Sequence, residues 1–153
     1  MQKIFLLIIL APLLSIAQDS ARRTINFPRQ EVRVTDIPAK EQVWVFIMAG
    51  QSNMAGRGLV EPEDTISHSR ILTINRSNEL IEAKAPLHLY QPKLTGLDCG
   101  MSFARNLMDK IDSNIYILLL PTAVGGSSIK YWLNDSVFNG VHLKTNFMEK
   151  VDL

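Results

Sequence analysis

Apolar residues along the chain fall into a few dense runs separated by polar, turn-rich stretches. Val43-Trp44-Val45-Phe46-Ile47-Met48-Ala49 is continuous, β-branched and aromatic, the pattern of a strand buried on both faces. It stops at Gly50, and a turn-rich stretch follows to Gly58. Ile71–Asn75 reads as a second strand, turned back by Arg76-Ser77-Asn78-Glu79 through Leu80 and Ile81 as a small hairpin. Between Met101 and Ile111 the period changes: Phe103, Ala104, Leu107, Met108 and Ile111 share one helical face, while Arg105, Asp109 and Lys110 lie away from it. Ile115–Leu120 is another continuous apolar strand, closed by Pro121. A short helix or irregular piece at Ile129–Trp132 and a helical piece around Asn146–Val151 complete the pattern. The order strand, loop, helix, strand, with continuous apolar strands, predicts an α/β fold with a parallel sheet and helices on its faces.

Two regions stand apart. Met1–Ala17 reads as a signal peptide: Lys3, an apolar run from Ile4, then Ser15-Ile16-Ala17 as a small-x-small cleavage site. The run is too short, and too soon followed by charge, for a transmembrane helix. A secreted or periplasmic location is therefore expected. Residues 18–42 are polar, contain Pro28 and Pro38, and read as a linker or leading arm with a short strand at Glu31–Thr35.

Without Lys3 the chain carries 15 basic and 15 acidic side chains, hence no formal net charge. That argues against nucleic acid or an anionic membrane as partner, both of which need a basic footprint. The single cysteine, Cys99, makes no internal disulfide and, with no basic neighbour, reads as a small packing residue. No two histidines or carboxylates stand at metal-ligand spacing, so neither metal nor cofactor is expected. Asn75-Arg76-Ser77 and Asn134-Asp135-Ser136 match the glycosylation sequon, a pattern frequent by chance.

The chemistry concentrates in Gly50-Gln51-Ser52-Asn53-Met54-Ala55-Gly56-Arg57-Gly58, at the end of the first strand, where open α/β sheets bind ligands. A serine placed where a strand turns sharply, beside glycine, exposes its hydroxyl and leaves a backbone N–H free for an oxyanion. A phosphate loop is excluded by glycine spacing and by the missing Lys-Ser or Lys-Thr. A plain turn fits the spacing equally well.

The wider sequence separates these readings. Val45–Gly58 resembles the first block of the sialate O-acetylesterase-like branch of the SGNH hydrolases, a family that includes acetylxylan esterases. Gly96–Leu107 is similar to its second block, and Leu120–Trp132 to its Gly-Gly-Ser/Thr-Ser-Ile segment. The three blocks occur in order between Val43 and Trp132. The resemblance implies a flavodoxin-like, three-layer SGNH fold with a parallel sheet, and a serine esterase removing acetyl groups from carbohydrates. It implies Ser52 as nucleophile and the N–H groups of Ser52 and Gly100 as oxyanion donors, Gly96 being the rival of Gly100. It further implies Gln51 and Asn53 orienting the turn or reaching substrate, and Gly126 and Ser127 lining the cleft. Gly100 as a helix-entry glycine, and Ser127 and Ser128 as helix caps, remain open alternatives.

A serine nucleophile requires a base. The family's late Asp-x-x-His motif and the Gln-Gly-Glu block before it are absent. His68 follows Asp64 by four residues, His142 follows Asp135 by seven, and His88 lies in Pro-Leu-His-Leu-Tyr; each reads as a surface or packing histidine. Residues 43–153 are therefore expected to be the N-terminal part of such an esterase domain, inactive alone. A non-catalytic carbohydrate-binding remnant is the alternative, and a chain left unfolded by an exposed sheet edge is a third.

Overall fold

The computed structural model describes residues 20–152; the expected signal peptide lies outside the described residues. The elements are α1 (Ser20–Thr24), β1 (Val43–Met48), α2 (Ser52–Ala55), β2 (Ile71–Ile74), β3 (Leu80–Glu82), α3 (Gly100–Met108), β4 (Tyr116–Pro121), α4 (Ile129–Leu133), β5 (Val137–Phe138), β6 (Val141–His142) and α5 (Leu143–Val151). Single 3-10 turns occupy Lys40–Gln42 and Pro62–Thr65.

Four strands form one sheet in the order β1-β4-β2-β3. β4 is central and parallel to both neighbours, with Trp44 and Ile71 each opposite Ile117. β2 and β3 are the antiparallel hairpin read from the sequence, Ile74 facing Leu80. The mainly parallel α/β architecture expected from the apolar runs is thus the one found.

Side chains alternate across the sheet, so each strand supplies both faces. One face carries Phe46, Met48, Ile71, Ile117 and Leu119, and α3 covers it with Met101, Ala104 and Met108. Ile71, Ala104, Ile117 and Leu119 are fully enclosed. Each fully buried aliphatic side chain of the size of Leu or Ile contributes about 1.5–3 kcal/mol, so this α3-side layer is a substantial source of stability. Phe103, expected on the buried stripe, stays 45% exposed while its ring meets Phe46 edge-on at 4.9 Å.

The opposite face is covered unevenly. Leu72, Ile74 and Leu120 are buried there, but Val45 and Ile47 of β1 are 51% and 40% exposed. β1 was expected to be buried on both faces. It instead forms an end of the sheet, with one neighbour and no described element over Val45 and Ile47.

Residues 20–42, expected as a linker or leading arm, make contacts with the domain. Phe27 packs against the core. Asn26 Nδ2 donates to the Val60 carbonyl at 2.8 Å, and the Val34 and Glu82 N–H groups bridge this arm to β3. The hairpin β5–β6 was missed, although Asn139-Gly140 between short apolar pairs is its strongest local signal. Both turn residues take the positive φ that such a turn demands, 50° and 78°.

Candidate active site

The C-terminal ends of β1 and β4 lie side by side, and the loops that leave them build the site. Gly50 leaves β1 at φ 145°, a conformation that disfavours any side chain, and α2 begins two residues later at Ser52. A Cβ on Gly50 would stand 3.2 Å from Met54 Cβ. The first N–H groups of a helix have no partner within it, so the Ser52 N–H can serve an oxyanion. Ser52 is half-buried, Gln51 and Asn53 are exposed beside it, and Gly126 is exposed on the neighbouring loop. Among the described residues Ser52 Oγ makes no hydrogen bond, so no histidine stands within reach to take its proton.

The turn is held from the β4 side. Thr122 sends its N–H and Oγ1 to the Met48 carbonyl, at 3.1 and 3.3 Å. The Val124 N–H and Ser127 Oγ both donate to the Gly50 carbonyl, at 3.2 and 3.3 Å. Ser127 Oγ in turn accepts the Trp132 indole N–H at 3.2 Å. Ser127 is therefore engaged on both sides as a brace of the Ser52 turn. Ser128 is the N-cap residue of α4 but makes no side-chain cap bond.

The far end of the turn is locked to the segment before α3. Gly58 and Leu97 exchange two backbone hydrogen bonds, 3.2 and 2.9 Å. Gly56, at φ 78°, approaches so closely that a Cβ would lie 2.6 Å from both the Gly96 and Leu97 carbonyl oxygens. Arg57 reaches across: Nη1 donates to the Gly56 carbonyl at 2.7 Å and Nη2 to Gln91 Oε1 at 2.6 Å. Gln91 completes the link by accepting the Gly125 N–H and donating to the Gly125 carbonyl, 3.1 and 3.2 Å. Burial, then the nearby Arg23 guanidinium, lower the Arg57 pKa from its usual value.

Gly100 is the N-terminal residue of α3, and its N–H donates to Asp98 Oδ1 at 2.7 Å. Here that N–H is committed to a side chain rather than open to a ligand. A Cβ on Gly100 would press within 2.6–2.8 Å of the side-chain ends of Leu87 and Met48, which would have to shift to admit it. Cys99, expected to be buried, is exposed, with Sγ 3.9 Å from Met54 Sδ.

The three histidines do different work. His68 Nδ1 accepts the Arg70 N–H at 3.1 Å. His142 is exposed, its Nδ1 2.9 Å from the Asp135 carbonyl. His88 is buried: Nδ1 lies 3.1 Å from Asp98 Oδ2, and Nε2 lies 3.3 Å from the Met48 carbonyl oxygen. A carbonyl only accepts, so the contact with Met48 makes Nε2 the donor there. Both side chains are 2% exposed. The pair ties the end of β1 to the start of α3.

Sequence reading missed Asp98, Arg57, Gln91 and Trp132. Asp98 had a local signal, a carboxylate two residues before a helix-entry glycine. The Arg57, Gln91 and Gly125 contacts join residues 34 apart in the chain and had none. Neither of two cavities, about 340 and 110 Å³, is lined by Ser52. Among the described residues no three His, Cys, Asp or Glu side chains cluster to hold a metal, and no helix is long and apolar enough to cross a membrane.

The profile of the carbohydrate esterase family described as sialic acid-specific acetylesterase matches residues 42–152. A probable carbohydrate esterase of Arabidopsis thaliana is 32% identical over 105 residues, covering 58% of this chain and 40% of that protein. An Arabidopsis thaliana crystal structure aligns at a TM-score of 0.60 with 29% identity, over 72% of this chain and 51% of that one. The crystal structure of NanS aligns at a TM-score of 0.45 with 24% identity, over 60% of this chain and 38% of its own. The chain thus spans about half or less of the length of the proteins it matches.

Proposed function

Since the chain belongs to the sialic acid-specific acetylesterase family of carbohydrate esterases, we propose that it carries the nucleophile half of a secreted serine esterase that removes O-acetyl groups from carbohydrates. The observation that carries this reading is the Ser52 turn. A half-buried serine opens a one-turn helix at the C-terminal end of a parallel strand, with the Gly50 carbonyl two residues before it clamped by two donors. Ser52 Oγ would attack the acetyl carbonyl, and the Ser52 N–H would meet the developing oxyanion. One such donor is worth about 3 kcal/mol of transition-state stabilisation. Gln51, Asn53 and Gly126 border the turn on the side from which a sugar would approach.

Gly100 N–H joins the oxyanion hole only if Asp98 Oδ1 gives up its bond, so it acts here through Asp98 or after a rearrangement on substrate binding. Among the described residues His88 is committed at both ring nitrogens and no imidazole bonds Ser52 Oγ, so the reading requires a general base that these contacts do not supply. Acetylated sialic acid and acetylated xylan-type sugars are the proposed substrates. Met1–Ala17 directs the protein out of the cytoplasm, which fractionation and N-terminal sequencing of the exported product check.

The test is acetate release from p-nitrophenyl acetate and from acetylated sugars by the protein extended through its downstream coding sequence. Activity abolished by Ser52→Ala supports the reading. An extended protein carrying a late Asp-x-x-His that is inert on every acetyl ester defeats it. The unpartnered Ser52 Oγ favours a second reading, a non-catalytic carbohydrate-binding remnant. It predicts glycan binding by the 153-residue chain, and silence on a sugar array counts against it.

A further inference from the structure

Beside the site, at the C-terminal ends of β2 and β4, a cavity of about 340 Å³ opens between the β2–β3 turn, the segment around Tyr90, and α5. That volume lies within the range of small-molecule sites, and the C-terminal edge of parallel strands is where such folds bind ligands. Ile74, Leu87, Leu89 and Pro121 give it an apolar floor. Tyr90 and Asn146 stand at its inner end, the Tyr90 hydroxyl donating to the Pro121 carbonyl at 2.9 Å and meeting the Asn146 amide at 3.1–3.3 Å.

Two cations face this space. Arg76 Nη2 donates to the Leu89 carbonyl at 3.0 Å, and Lys150 Nζ to Asn78 Oδ1 at 3.3 Å. Both are thereby held in place by neutral acceptors. Among the described residues no carboxylate oxygen lies within 4.0 Å of either. The nearby Glu79 is taken by Arg33 at 2.9 Å and by Asn75, and Glu31 by Asn75. Glu149 also lines the cavity, and its charge acts on Lys150 without pairing with it. Burial lowers the Lys150 pKa, the sign of an ammonium short of compensation. The wall therefore has one uncompensated positive charge.

We propose that this cavity is a binding site for the single carboxylate of a small polyhydroxylated acid of the uronic acid class. Arg76 and Lys150 take the carboxylate, a group that a planar guanidinium matches in geometry. Asn78 and Asn146 serve hydroxyl groups, and the apolar floor receives the ring's C–H face. A dianionic phosphate fits less well, because Glu149 would oppose its second charge. None of these residues belongs to the Ser52 turn, so the site does not depend on the esterase reading.

Titration of the 15N-labelled 153-residue chain with D-glucuronate, methyl β-D-glucoside and inorganic phosphate tests the site. Saturable shifts are expected with glucuronate at amides of residues 75–78 and 146–151, with affinity about tenfold or more above the glucoside and phosphate. Arg76→Gln and Lys150→Gln should each weaken glucuronate binding about fivefold or more. Ser52→Ala should leave it intact, which separates this result from failure of the esterase. Equal affinity for the glucoside, tighter phosphate binding, no saturable response at tens of millimolar, or unchanged affinity in both variants overturns the proposal.

Discussion

Replacing His88 by alanine should be among the most damaging single changes available to this chain. Its ring nitrogens bind Asp98 Oδ2 and the Met48 carbonyl, and its side chain and that of Asp98 are each 2% exposed. His88→Ala leaves Asp98 Oδ1 with the Gly100 N–H but strands Oδ2 in a buried site. Leaving that buried carboxylate oxygen without its partner, together with the cavity left by the ring, costs about 3–5 kcal/mol, against a total of about 5–15 kcal/mol for a domain of this kind. That corresponds to a Tm about 10–20 °C lower. His88→Phe keeps most of the volume yet still orphans Asp98, so it should recover little. Asp98→Asn keeps an acceptor for Gly100 and a neutral partner for the imidazole, and should cost only about 1–2 kcal/mol. Urea and thermal unfolding of the single variants and of His88→Ala/Asp98→Ala measure these values. A double variant less destabilised than the sum of the singles by about 1–3 kcal/mol is expected. Simple additivity, or a His88→Ala cost below about 1 kcal/mol, would refute the pair as a structural link between β1 and α3.

Three further outcomes follow from the same geometry. Gly56→Ala, at φ 78° with carbonyl oxygens 2.6 Å from the new Cβ, should cost about 3 kcal/mol or more, whereas Gly140→Ala, also at φ 78° but in open space, should cost about 1 kcal/mol; similar losses in thermal melts would contradict the close approach at Gly56. Burial pushes the Tyr90 hydroxyl up to about 12, partly offset by its Asn146 bond. With an unfolded value of about 10, this contribution to stability is complete below pH 10 and fades as pH rises toward 12; Tyr90→Phe should remove that late phenol from an absorbance titration at about 295 nm. Val45→Lys, on the open face of β1, should shift stability by less than about 0.5 kcal/mol, while Leu119→Ala in the enclosed layer should cost about 2–5 kcal/mol; a large penalty at Val45 would mean that its face is covered.

Residue order alone determined the types of the main elements and the strand end at which the Ser52 turn lies. Continuous apolar runs at 43–48 and 116–121 specify strands because alternating side chains must find apolar neighbours on both sides, and the 3.6-residue period after Gly100 specifies a helix. Gly-Gln-Ser-Asn-Met marks the turn because the conformation at Gly50 tolerates only a residue without a Cβ. Where each strand sits was not legible: both apolar runs look doubly buried, yet β4 takes the centre and β1 an end with Val45 and Ile47 open. The connections that hold the site were not legible either. His88 meets Asp98 across ten residues and Met48 across forty, and Arg57, Gln91 and Gly125 are joined in steps of thirty-four. Local pattern records the conformation each short segment prefers, which depends on near neighbours. A hydrogen bond between distant loops depends on the sheet having first placed their ends together, and only the tertiary structure decides that.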